Sequence, residues 1–183
     1  MKKNIFVTLE GVDGVGKTTV AKLLSQDNFQ YYKSPSGPFA ELRKEIDKNA
    51  KPLERYSFYM LAVQYDHLQI TELLKRGSVV SDRYVASTCA YHFALDNRIS
   101  LIHNELNIIL PDFAFHLSCD SKIRDQRING RGENRSDCAL ERDSHFLDQV
   151  DEIFSSFNFI RLDTGVDTAE QTAAKVKEYI FRR

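Results

Sequence analysis

Short runs of apolar residues alternate with segments in which apolar positions recur every three or four residues. Residues 5–9 (Ile-Phe-Val-Thr-Leu) form a β-prone run that stops at a glycine-rich turn, and Val20, Ala21, Leu23 and Leu24 then mark a helix. Residues 29–33 predict a second strand. Phe39, Leu42 and Ile46 place a short helix over 39–47, with Pro38 at its start. Pro52 opens a long helical stretch that ends at the cationic turn and glycine of Arg76-Gly77. Along it Tyr56, Tyr59, Met60, Val63 and His67 share a face. Residues 78–81, 112–117 and 159–162 read as three further strands. Residues 168–181 close the chain as an amphipathic helix with Ala173, Val176, Tyr179 and Ile180 inward.

Strands that alternate with helices predict βαβ units and a mostly parallel, five-stranded sheet covered on both faces: a three-layer α/β/α architecture. At 183 residues the chain has room for one core, so residues 1–183 are taken as a single domain. The conspicuously polar stretch is 130–137, Gly-Arg-Gly-Glu-Asn-Arg-Ser-Asp, which is expected to be a loop between two helices.

Composition narrows the function. Lys+Arg number 25 against Asp+Glu 26, a net charge of −1, which argues against a general nucleic-acid or membrane-surface binder. Cys89, Cys119 and Cys138 lack zinc-ligand or redox spacing and read as thiols of a reducing compartment. Glu10 and Asp13 interrupt the N-terminal apolar run too early for a signal peptide, and no run reaches membrane-spanning length. A soluble, cytoplasmic protein is expected.

The sharpest signal is Gly11-Val12-Asp13-Gly14-Val15-Gly16-Lys17-Thr18, which fits G-x-x-x-x-G-K-[ST] between a strand and a helix. Gly11, Gly14 and Gly16 let main-chain N–H groups, including that of Val15, converge on phosphate oxygens. The helix opening near Lys17 and Thr19 adds the positive end of its dipole. Lys17 is placed to bridge the β- and γ-phosphates of a nucleoside triphosphate, and the Thr18 hydroxyl to ligate Mg²⁺. The guanine-reading Asn-Lys-x-Asp and the Asp-x-x-Gly switch of a GTPase are absent, and the chain is short for a mechanical ATPase. A kinase acting on a small acceptor is the reading that remains.

Several segments together resemble the thymidylate kinase family of P-loop nucleoside monophosphate kinases. They are the turn from Leu9 to Thr19; Asp82-Arg83-Tyr84 after the third strand; Ser87 and Ala90-Tyr91 beyond it; Pro111-Asp112; and Arg124 and Arg127 before an Arg-Gly segment. The resemblance implies a P-loop NTPase fold with a short arginine-bearing lid, about residues 130–138. It also implies ATP and Mg²⁺ as cofactors, a nucleoside monophosphate as acceptor, dTMP converted to dTDP, and a homodimer formed through the long helices. Neither a nucleic-acid nor a membrane partner is implied.

The residues that carry such chemistry can be named. Asp82 is placed to hold Mg²⁺ and Arg83 to grip the acceptor phosphate in a bidentate fork, both at the carboxyl end of a buried strand. The resemblance implies a catalytic arginine in either the turn or the lid; Val12, Asp13, Gly14 and Val15 offer no cation, so by that resemblance the role falls to Arg131 and Arg135. By resemblance Asp13 meets the acceptor sugar's 3′-hydroxyl, Arg43 its phosphate, and Tyr91 the deoxyribose near C2′. Ser87 belongs to the same pocket, Phe58 is either base platform or ordinary core, and Gln64 occupies the family's base-reading arginine position. Arg124 and the loop 163–166 are candidates for the adenine side.

Three departures fall in the acceptor pocket. The loop after the second strand reads Lys33-Ser34-Pro35-Ser36-Gly37-Pro38 in place of Arg-Glu-Pro-Gly-Gly-Thr, Gln64 replaces an arginine, and His92 replaces a glutamine. His67 and His92 show no metal-ligand spacing and read as structural or surface residues. Two rivals therefore stay open. One is a deoxynucleoside kinase, with Glu10 or Asp82 as its base; the other is a regulatory ATP-binding protein without acceptor chemistry.

Overall fold

In this computed structural model residues 4–99, 107–130, 140 and 143–182 are described. The strands are β1 (Phe6–Glu10), β2 (Phe29–Lys33), β3 (Ser78–Asp82), β4 (Phe113–Ser118) and β5 (Ile160–Asp163). They pair in parallel throughout, in the order β2-β3-β1-β4-β5. Parallel neighbours need crossovers, and the helices supply them: α1 (Lys17–Ser25), α2 (Gly37–Asn49), α3 (Pro52–Leu74), α4 (Val85–Leu95), α5 (Ser121–Asn129), α6 (Ser144–Ser156) and α7 (Ala169–Phe181). This is the doubly covered P-loop α/β sheet that the alternating pattern predicts.

The central strand β1 is buried from end to end, and its period of two sorts side chains between the layers. Val7 and Leu9, with Phe115 and Leu117 of β4, join a core with Val20, Leu24, Ala173 and Val176 of α1 and α7. Glu10 and His116 point the other way, toward α4 and α6, where Ser87 and Asp151 meet them. Four strands run past their last apolar position, by one residue in β1, β4 and β5 and by two in β3, ending on Glu10, Ser118, Asp163 and Asp82.

Helix α4 has no counterpart in the sequence reading. Residues 85–92 are all buried, so α4 lacks the polar face that makes a helix periodic. On α3 the buried positions are Arg55, Ala62, Val63, Asp66 and Ile70, two of them charged, whereas Tyr56, Tyr59, Met60 and His67 are half-buried. On α7 Thr172 is buried and Tyr179, expected inward, is 51% exposed, with its ring edge on Phe115 at 6.1 Å.

Side chains cap the later helices: Asp120 on α5, Asp143 on α6, and Thr168 on α7. Thr168 accepts from the Gln171 amide at 3.2 Å, while the Gln171 side chain accepts from the Thr168 amide at 2.8 Å, a complete capping box. Thr168→Ala is expected to destabilise the protein by about 1 kcal/mol, read as a lower urea midpoint with an unchanged slope.

Candidate active site

The turn between β1 and α1 is built by backbone that only glycine tolerates at its critical points. Gly16, the N-cap of α1, has φ +92°, and a Cβ there would project into open space with nothing within 4 Å. Gly11 has φ +133°, and a Cβ would lie 2.3 Å from the Leu117 carbonyl oxygen. The turn is thus pressed against the end of β4 and open above Gly16. No side chain caps α1, so its first N–H groups face that opening.

Lys17 begins α1 and is buried, and its Nζ donates to the Val12 carbonyl at 2.6 Å, folding the side chain back over the turn. Thr18 donates its hydroxyl to Asp82 Oδ2 at 2.5 Å. Register explains that meeting: Leu9 lies beside Asp82 in the β1–β3 ladder, so the two strand ends arrive together. Burial, and then the charge of Asp82, push the Tyr31 phenol up to about 12.

Arg83 leaves β3 with φ +71°, an unusual value for a residue with a Cβ. Its Nη1 donates to the Gly11 carbonyl at 3.0 Å, and its Nη2 reaches the Tyr91 hydroxyl at 3.3 Å. The guanidinium carbon stands 5.1 Å from the Tyr91 ring centre. Ser87, one turn into α4, donates to Glu10 Oε2 at 2.6 Å. Burial raises the Glu10 carboxyl from the ordinary 4.5 to about 7; the Ser87 bond and the charges of Arg83 and Lys17 oppose the rise only in part.

Beside Arg83 opens a cleft of about 520 Å³, counting its mouth, walled by β2–α2 loop residues, α3 and α4. Arg43, Arg83, Ser87 and Tyr91 all line it. So do Arg55, Tyr59, Tyr84, Thr88 and His92, which the sequence reading had not assigned there. Helical geometry explains the exchange on α3. Arg55, Tyr59 and Ala62 are stacked on one face, whereas Gln64 lies about 180° around the axis and does not line the cleft. Phe58, about 60° off that face, packs on Phe39 of α2 at 5.3 Å rather than lining the cleft. Asp13 is half-buried in the turn and does not line the cleft either.

The altered loop after β2 is held from below. Asp66, fully buried on α3, accepts from the Tyr32 and Ser34 hydroxyls and from the Ser36 hydroxyl and amide, at 2.6–3.2 Å. Only the spacing of Tyr32, Ser34 and Ser36 on alternate positions hinted at this network.

Arg124 is also placed differently from expectation. It is 2% exposed, donates to Asp148 at 2.8 Å, and its Cγ would sit 2.9 Å from a Cβ on Gly14: it forms the floor of the turn. Arg127 instead lines a second pocket with Val15, Gly16, Thr19, Thr164 and Asp167, donating to both the Thr164 hydroxyl (3.1 Å) and carbonyl (2.7 Å). Arg131, Arg135 and the segment 131–138 lie outside the described residues.

A parallel sheet whose central strand delivers such a turn, with an Asp-Arg pair at the neighbouring strand end, defines a phosphate-loop nucleotide-binding protein. The family model described as thymidylate kinase matches residues 9–178. A probable thymidylate kinase from Methanocaldococcus jannaschii is 29% identical, the match covering 98% of this chain and 97% of that protein. The thymidylate kinase of Mycoplasma genitalium is 32% identical over 73% of this chain and 72% of its own. Among solved structures, the thymidylate kinase from Candida albicans superposes with a TM-score of 0.81 at 21% identity, covering 97% of this chain and 91% of that one. The chain belongs to the thymidylate kinase family.

The raised Glu10 carboxyl makes a testable statement about the unliganded protein. A carboxyl titrating near 7 when folded and near 4.5 when unfolded favours the folded state below pH 4.5 relative to higher pH. That advantage is lost as pH rises through about 7. Glu10→Gln, which keeps a neutral acceptor for Ser87, is expected to gain stability over wild type progressively from pH 5 to pH 8. The full difference is on the order of 3 kcal/mol, followed by thermal denaturation across that range.

Proposed function

We propose that the protein transfers the γ-phosphoryl group of ATP to a pyrimidine deoxynucleoside monophosphate, converting dTMP to dTDP. The observation that carries this is the Arg83 guanidinium, which lines the acceptor cleft while bonded to the first glycine of the phosphate turn. One cation at that junction borders both a donor polyphosphate and an acceptor phosphate. Arg43, which lines the same cleft, supplies a second grip.

ATP lies with its β- and γ-phosphates against the amides of Gly14, Val15, Gly16, Lys17, Thr18 and Thr19. Its adenine enters the pocket lined by Arg127, Thr164 and Asp167, which replaces Arg124 in this reading. Thr18 and Asp82 bring a hydroxyl and a carboxylate together at 2.5 Å, oxygen donors suited to a hard cation, and they are the residues that would hold Mg²⁺. Among the described residues no group of three or more His, Cys, Asp or Glu could form a closed metal site. Bound there, the ion would supply positive charge to offset that of the nucleotide phosphates.

The acceptor phosphate oxygen is already nucleophilic, so alignment and charge neutralisation suffice. This favours a monophosphate over a nucleoside acceptor: Glu10, the candidate base, is 1% exposed and bonded to Ser87, and Asp82 is engaged by Thr18. Arg131 and Arg135 are assigned to the migrating phosphoryl on the sequence pattern alone. Leu53, Leu61 and Leu68 form an exposed stripe on α3, 65, 61 and 59% accessible, which supports pairing of two copies through the long helices. No helix among the described residues is long and apolar enough to cross a membrane.

Coupled ADP-release assays with dTMP are expected to show turnover that Lys17→Ala abolishes and that Arg131→Ala or Arg135→Ala lowers roughly 10²-fold in kcat. Turnover with nucleosides, or near-wild-type rates in all three variants, would overturn the assignment.

A further inference from the structure

Three carbonyl groups of the phosphate turn are held by side chains. That of Gly11 accepts from Arg83 and that of Val12 from Lys17. The third, on Val15, accepts from the Thr164 hydroxyl at 2.9 Å, a residue 149 positions away that follows β5. Thr164 is 4% exposed. Its amide donates to the Ser118 carbonyl at 2.8 Å, its hydroxyl also lies 3.2 Å from that same carbonyl, and Arg127 Nη1 donates to the hydroxyl at 3.1 Å. A hydroxyl has one proton to give. Arg127, an obligate donor, takes a lone pair of Oγ1, and the Ser118 carbonyl is already served by the Thr164 amide. The proton therefore goes to Val15, the nearer acceptor.

That bond fixes more than a carbonyl. The peptide between Val15 and Gly16 is trans, and in a trans peptide the C=O and the following N–H point in opposite directions. Holding the Val15 oxygen on Thr164 therefore aims the Gly16 N–H away from Thr164. Among the described residues no main-chain carbonyl accepts from that N–H, and the space where a Gly16 Cβ would lie is open. Glycine also makes a flip of this peptide cheap. A flipped peptide would present a carbonyl oxygen where a polyphosphate needs a donor.

We infer that Thr164 is a positioning residue for the donor: through the Val15 carbonyl it locks the 15–16 peptide with the Gly16 N–H turned toward the polyphosphate. The inference rests on the phosphate turn holding the nucleotide as described above. Thr164 also borders the pocket assigned to adenine. The two roles separate cleanly, because the one inferred here acts on phosphates that carry no base.

The test is titration of inorganic tripolyphosphate and of ATP into the full chain, with the Gly16 amide proton followed by NMR in isotope-labelled protein. Wild type is expected to bind both and to move the Gly16 amide proton downfield. Thr164→Val keeps the shape and removes the hydroxyl; it should weaken both ligands by the same factor, about 10-fold or more, and lose most of that downfield shift. Thr164→Ser should restore affinity and shift together. Unchanged dTMP binding is the check on folding, and Thr164→Ala repeats the cut should the valine variant not fold. Wild-type tripolyphosphate affinity without the hydroxyl, or a Gly16 shift equal to wild type, overturns the inference. A loss confined to ATP also overturns it, since Thr164 then acts on the adenosine alone. The predicted tripolyphosphate effects without turnover of dTMP support the inference and remove the kinase reading. Failure of wild type to bind either ligand removes both.

Discussion

The site depends on the way the chain leaves β3. Arg83 adopts a left-handed backbone conformation, which costs a residue with a Cβ roughly 1–2 kcal/mol. In return its amide bonds to the Leu9 carbonyl at 3.0 Å, its own carbonyl accepts from Ser81 at 2.6 Å, and its guanidinium turns back onto Gly11. Two of these bonds fasten the exit of β3 to the strand and turn that precede α1, and the third braces the exit itself. Because Leu9 and Asp82 are already paired in the sheet, the same junction brings Asp82 to Thr18. The phosphate turn and the acceptor cleft consequently share a wall, and the shared wall carries positive charge.

Polar groups concentrate along that carboxyl edge, and this governs what could be read from the chain alone. The parallel strands were legible because both faces are buried and the apolar runs are nearly continuous. The runs were read as ending at Leu9, Ser81, Leu117 and Leu162, so Glu10, Asp82, Ser118 and Asp163 were left outside strands that in fact include them. Those residues complete the ladder at the carboxyl edge of the sheet, where the polar end of a strand escapes a reading by hydrophobicity. Helix α4 escaped for the opposite reason, since an element buried on every side has no period to detect.

The phosphate turn was legible because its requirement is a backbone one, and glycine spacing records backbone requirements directly. The acceptor cleft was only partly legible, because it is assembled from α2, α3 and α4, and contacts across helices leave no local spacing. Arg43, Arg83, Ser87 and Tyr91, singled out from the sequence, line the cleft; Arg55 and Tyr59 line it too and were not singled out, while Phe58 lies on a neighbouring face of α3 and Gln64 on the opposite one. The loss of the charged pair in the loop after β2 looked like a loss of acceptor positioning. The fold shows another anchor for that loop: Asp66, buried on α3, gathers Tyr32, Ser34 and Ser36 around one carboxylate.

The central claim is that donor and acceptor phosphates meet across one cationic wall. An adenosine–thymidine oligophosphate, with both nucleosides joined through a single phosphate chain, measures this directly by titration. The shared wall predicts that it binds roughly 10²-fold or more tighter than ATP or dTMP alone, and that either nucleotide displaces it, because the second contact becomes intramolecular. An affinity no greater than that of ATP, with dTMP unable to compete, would place the two sites in separate cavities and contradict the account.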